Sequence, residues 1–166
     1  MKPEQEIAEE FQLTPDAQKL ELLLEYSESL PEPPARFGEN PHLMERVEEC
    51  QAPVFIAVEG DAKKIDIYFS APEEAPTTRG FASILNTALN GRPAAEILDL
   101  SDDFPSELGL EKLISPLRVR GMRGMLFRIQ RKTSELISAG FRHLGGRTNY
   151  CVASCVCKWR GCVVFR

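Results

Sequence analysis

Glu48-Glu49-Cys50-Gln51-Ala52-Pro53-Val54-Phe55-Ile56-Ala57-Val58 sets a polar turn directly against an apolar, β-branched run. The pattern places a thiol on a turn that opens a strand. Beyond it, Glu59-Gly60-Asp61-Ala62 reads as a turn and Lys64 to Ser70 alternates by twos, which predicts an antiparallel hairpin with Ile65, Ile67 and Phe69 facing a core. Pro53 has no N–H to give a ladder, so it belongs at a strand's first position or on an edge. On the other side, Leu43 to Glu48 permits a short strand leading into Cys50. Cys50 is the only cysteine of the first 150 residues, and Cys151, Cys155, Cys157 and Cys162 crowd the last sixteen. It has to be explained alone. A free cysteine is most often a small buried hydrophobe, whereas Glu48, Glu49 and Gln51 favour a turn that reaches water.

Outward from the hairpin the hydrophobic period becomes helical. Residues 4 to 11 read as a short acidic helix, and Thr14-Pro15-Asp16 as the start of one reaching Ser29, with Leu20, Leu23, Leu24 and Ser27 on its core face. Thr77 or Thr78 opens a helix whose Phe81, Ile84, Leu85, Ala88 and Leu89 form an apolar stripe, ended by Asn90-Gly91. A shorter helix spans Pro93 to Leu98, and helical turns follow from Phe104 to Leu113. Ser115-Pro116 then begins a helix with Leu117, Met122, Met125, Leu126 and Ile129 inward and Arg118, Arg120, Arg123, Arg128 and Arg131 outward. Gly121 and Gly124 each cost a helix about 1 kcal/mol, so close packing against another element is the reason to expect them there.

A chain of 166 residues is one domain's worth and large enough to bury a core without staples. No apolar run approaches the roughly 18 residues of a membrane helix, and Met1 to Glu6 is acidic where a signal peptide is basic and then apolar. The expectation is a cytoplasmic protein whose Cys50 stays a thiol. The net charge of −5 hides an asymmetry: residues 1–111 carry 24 acidic and 8 basic side chains, residues 112–166 carry 1 and 12. Most of the late arginines share one predicted helix without interleaved aromatic rings, which argues against a nucleic-acid footprint. Acidic and basic faces that attract each other or a protein partner fit better.

The segment Glu49-Cys50-Gln51-Ala52-Pro53-Val54-Phe55 resembles the sulfur-acceptor loop of SufE-type proteins, partners of cysteine desulfurases in iron–sulfur cluster assembly, whose pattern runs Gly-Cys-Gln-Ser-x-Val-Trp. Ile114-Ser115-Pro116-Leu117-Arg118-Val119-Arg120-Gly121-Met122 is similar to the family's Leu-(Ser/Thr)-Pro-x-Arg-x-x-Gly-(Leu/Met). Arg79-Gly80-Phe81 stands where the family has Lys-Gly-Leu, and Leu108-Gly109-Leu110 matches too. Order and spacing agree from about Thr14 to Arg131. The resemblance implies an α+β fold, with a small antiparallel sheet of about three strands packed against helices, of the SufE/IscU-like kind. It implies Cys50 as persulfide acceptor and Arg118 as an orienting or partner-contact residue. The implied partners are a SufS-like cysteine desulfurase and an iron–sulfur scaffold complex, with no cofactor, no nucleic acid and no membrane, in a monomer or weak dimer. This chain departs from the pattern at Glu49, Ala52 and Phe55, which replace glycine, serine and tryptophan.

A sulfur acceptor needs a thiolate that attacks a persulfide and a niche that shelters the product, with Val54, Phe55 and the Phe81 helix as candidate walls. One cysteine suffices, because a neighbouring second thiol would resolve the persulfide as a disulfide. A cysteine hydrolase or peroxidase would need a base, and His42 and His143 are the only histidines. A protein-binding module with an unreactive Cys50 is the alternative from another class. The resemblance stops after Lys132, which divides the chain into an acceptor domain, residues 1–132, and a basic cysteine-rich tail, residues 133–166. The tail's thiolates invite a zinc or iron–sulfur reading, but no Cys-x-x-Cys pair is present, and a non-native tail such as a shifted reading frame stands beside it.

Overall fold

The computed structural model describes residues 2–143. Helices α1 (Pro3–Leu13) and α2 (Asp16–Glu28) lead through a short α3 (Ala35–Glu39) and a 3₁₀ turn (Pro41–Leu43) to the strands β1 (Glu45–Arg46), β2 (Phe55–Gly60) and β3 (Ile65–Ser70). Helices α4 (Pro76–Leu89), α5 (Ala94–Asp99), α6 (Phe104–Glu107) and α7 (Pro116–His143) follow. The three strands form one antiparallel sheet in the order β1-β2-β3. This is the α+β architecture that the resemblance implied. The metal and non-native readings of Cys151, Cys155, Cys157 and Cys162 lie outside the described residues, as does most of the tail. Helix α7 runs across the expected 132/133 boundary, with Thr133 buried and Leu136 and Ile137 packed on the core. Among the described residues no helix is long and apolar enough to cross a membrane.

Alternation by twos puts Ile65, Ile67 and Phe69 of β3 into the core, opposite Ile56 and Val58 of β2. The apolar stripe of α4 closes over them: Phe81, Ile84, Leu85, Ala88 and Leu89 are all buried. Gly80 is the close-approach point, because a Cβ there would stand 2.8 Å from Cδ1 of Leu23. That contact decides which face of α2 is buried. Lys19, Leu23 and Ser27 point inward, whereas Leu20 and Leu24, expected inside, are exposed. Arg79 ties the same corner together, donating to the carbonyls of Ser27 at 3.0 Å, Ala71 at 2.9 Å and Leu30 at 3.4 Å. Thr14 closes α1 instead of capping α2, its N–H and hydroxyl both donating to the Glu10 carbonyl.

Two further expectations shift. The strand before Cys50 shortens to Glu45–Arg46, because the chain turns inward at the buried Val47. Leu117 is not inward: it sits in the first turn of α7, 39% exposed.

Candidate functional site

Cys50 lies on the connection between β1 and β2. The Val47 N–H donates to the Val54 carbonyl at 2.9 Å and closes that connection, and the Cys50 N–H donates back to the Val47 carbonyl at 3.1 Å to form the turn. The apolar run after Pro53 fixes one leg as a core strand, and Val47 plugs the other leg into the core. Glu48 and Gln51 reach water, but the cysteine side of the turn does not. It lies against α7, and Cys50 is only 7% exposed. Gly121 and Gly124, three residues apart on one helix face, form the groove that receives it. A Cβ on Gly121 would stand 3.0 Å from the Cys50 sulfur, and one on Gly124 would stand 2.9 Å from Cδ of Glu49. The helix-propensity cost of these glycines is offset by the approach of the loop.

Ion pairs fasten both ends of the segment to α7. Glu45 in β1 accepts from Arg131 at 2.6 Å and lies 3.0 Å from the Lys132 ammonium, with Arg128 Nε at 3.3 Å. Burial pushes the Glu45 carboxyl upward, but hydrogen bonds from Arg131 and Lys132 outweigh it and hold the group below its ordinary range. Glu49 in the turn accepts from Nη1 of Arg128, which also donates to the Gly124 carbonyl at 3.3 Å. The thiol between these anchors is pushed up to about 11, first by burial and then by the Glu49 carboxylate, against the pull of Arg128. At pH 7 a thiol of that kind is about one part in ten thousand thiolate. Burial and the neighbouring carboxylate therefore guard Cys50 in this arrangement.

A cavity of about 240 Å³ opens beside the sulfur. One wall is the turn itself, another is the start of α4 with Thr77, Thr78 and Phe81, and the third is α7 with Leu117, Arg118, Gly121 and Met125. Arg118 thus shares the Cys50 cavity as an exposed residue. The arginine whose charge acts on the thiol is Arg128, which sequence reasoning assigned only to an outward face. Of the expected walls, Phe81 lines the cavity, Val54 is buried in the core, and Phe55 packs with Phe37, Met44 and Tyr68. Among the described residues no three His, Cys, Asp or Glu side chains gather as a metal site would require.

Fold and site together define a small α+β protein that holds one thiol between a β-turn and a glycine-grooved helix. Comparison with known proteins gives that class its family. The family described as the Fe-S metabolism associated domain, SufE, matches residues 5–133, and the chain belongs to it. A SufE-like protein of Mycobacterium tuberculosis is 49% identical over 134 residues, covering 80% of this chain and 92% of the relative. The SufE-like protein 1, chloroplastic/mitochondrial, of Arabidopsis thaliana is 32% identical over 133 residues, covering 80% of this chain and 35% of that longer protein. Among solved structures, a hypothetical protein from Thermus thermophilus superposes with a TM-score of 0.70 at 33% identity, covering 81% of this chain and 95% of the other.

Proposed function

We propose that this protein takes sulfane sulfur from a cysteine desulfurase onto Cys50 and relays it to an iron–sulfur cluster assembly scaffold, stimulating the desulfurase by unloading its persulfide. The observation that carries this reading is the guarded thiol itself: a sole cysteine among the described residues, buried at the wall of a cavity and faced by a helix stripped to glycine. In the transfer, the Cys50 thiolate attacks the outer sulfur of the donor's Cys–S–SH. A sulfur–sulfur bond forms on Cys50, the donor's breaks, and the donor cysteine leaves as a thiolate that takes a proton, so no oxidant is needed. Membership of the SufE family supports the iron–sulfur setting.

Arg118, at the cavity's rim, orients the incoming donor or contacts its surface. The carrier unit is residues 1–132, and residues 133–166 are dispensable for sulfur acceptance, although removing Leu136 and Ile137 takes apolar packing from the core. The protein acts in the cytoplasm as a monomer or weak dimer, as an accessory to the enzyme it unloads. Desulfurase turnover with and without the protein tests this reading. Wild type should raise the rate, Cys50→Ser should not, and Arg118→Ala should lower the stimulation while thermal stability stays within about 0.5 kcal/mol, as for an exposed arginine. Full stimulation by Cys50→Ser would overturn the assignment.

A further inference from the structure

The two anchors of the Cys50 segment are not equivalent. Glu45 faces Arg128, Arg131 and Lys132, so the β1 end is fastened redundantly. Glu49, one residue from the thiol, has Arg128 as its ion-pair partner among the described residues. Arg128 is the fixed member: its side chain is 11% exposed and is held by the Gly124 carbonyl and by Glu45, whereas the Glu49 side chain is 34% exposed. A cation held in place by other contacts makes a stronger pair than two free surface chains do. The carboxylate also lies in the groove that Gly124 leaves open, and glutamate stands here where the family resemblance has glycine.

We propose that Glu49 and Arg128 are positioning residues for Cys50: their ion pair is a clasp that holds the thiol in the α7 groove until a basic side chain of the partner engages Glu49. Glu49 is the member a partner can reach. Once it is drawn off, β1 stays fastened through Arg131 and Lys132, and the turn alone is released. The guanidinium of Arg128 then remains near the sulfur without its neutralising carboxylate, so opening and activation of the thiol come from one event. This consequence rests on the sulfur-acceptor reading of Cys50, but the clasp itself does not.

The test is the alkylation rate of Cys50 by iodoacetamide in the intact protein, followed by mass spectrometry on the peptide that contains it, at one pH and without any desulfurase. Charge alone and a clasp predict opposite signs for Arg128→Gln. Removing a negative charge beside a thiol raises its thiolate fraction and removing a positive one lowers it, so charge alone makes Glu49→Gln faster and Arg128→Gln slower. A clasp makes both faster, each by about tenfold, the equivalent of one charge-assisted hydrogen bond lost from the closed form. The double variant should be no faster than the faster single one, because either change undoes the same contact. Exchanging the charges, Glu49→Arg with Arg128→Glu, should restore part of the slow labelling, which a merely structural role of Arg128 would not. Slower labelling of Arg128→Gln, additive effects, or Glu49→Gln at the wild-type rate would overturn the clasp. If Arg128→Gln does not fold, Glu49→Asp decides: it keeps the charge beside the thiol but is one methylene short of Arg128, so the clasp makes labelling faster, and labelling at the wild-type rate, as charge alone requires, would overturn it. Labelling as stated with no sulfur accepted from a desulfurase would leave the clasp standing and remove the proposed function.

Discussion

Helices α4 and α7 are both amphipathic and both pack on the sheet, yet one is filled with side chains where the other is hollowed out. Along α4 the buried face runs Phe81, Ile84, Leu85, Ala88 and Leu89, each in the core. Along α7 Val119, Met122, Met125, Leu126 and Ile129 also enter the core, but Gly121 and Gly124 leave a groove where the Cys50 turn lies. The difference divides labour: α4 closes the core, and the first half of α7 makes room for a loop and holds it by charge. Helix α4 therefore gives more to the core and α7 more to the thiol's seat, although Phe81 of α4 also lines the cavity.

The comparison can be broken by substitutions that should act on one helix and not the other. The largest effect belongs to α4: Ile84→Ala should cost about 2–5 kcal/mol in chemical denaturation, as for a fully buried aliphatic truncated to alanine. If α4 and α7 were equivalent, no position would separate stability from thiol access.

Alkaline pH supplies the next. The folded protein keeps the Cys50 proton up to about 11, whereas the unfolded chain loses it near the ordinary value of 9.0. The stability from a neutral, buried thiol is thus fully present below 9.0 and is lost as pH rises toward 11. The loss should be on the order of 2 kcal/mol and absent from Cys50→Ser. An unchanged alkaline profile in that variant would show that burial does not set the thiol's ionisation.

A smaller effect on stability, with a clear effect on access, is expected at Gly121→Ala. The added methyl meets the Cys50 sulfur at 3.0 Å, while alanine favours the helix by about 1 kcal/mol, so unfolding should shift little. Alkylation of Cys50 should quicken several-fold as the turn is pushed from its groove. Slow labelling in a stable Gly121→Ala protein would mean that the glycine serves the helix and not the loop.

What the sequence made legible follows the same division. The α4 stripe and the alternation of β3 are periodic and local, and both led to the right buried residues. The glycines of α7 announced a close approach, but not to what, since Gly121 meets a sulfur 71 positions earlier in the chain. The pair between Glu49 and Arg128 spans 79 residues and carries no periodic signal; Arg128 looked like one outward arginine among five. Leu20 and Leu24 fit the helical stripe of α2 as well as Leu23 does, and only the space left by Gly80 selects Leu23. Alternation gave the hairpin and family resemblance the thiol's proposed role and Arg118, while the groove and its ion pairs join residues too far apart in the chain to leave a local pattern.

The central claim is that Cys50, and no other cysteine, receives the sulfur. Incubating the full chain with a cysteine desulfurase and cysteine, then digesting without reductant, locates the modification peptide by peptide. The peptide containing Cys50 should gain about 32 Da, one sulfur atom, and Cys50→Ser should gain nothing there. Sulfur found on Cys151, Cys155, Cys157 or Cys162 with the Cys50 peptide unmodified would contradict the account.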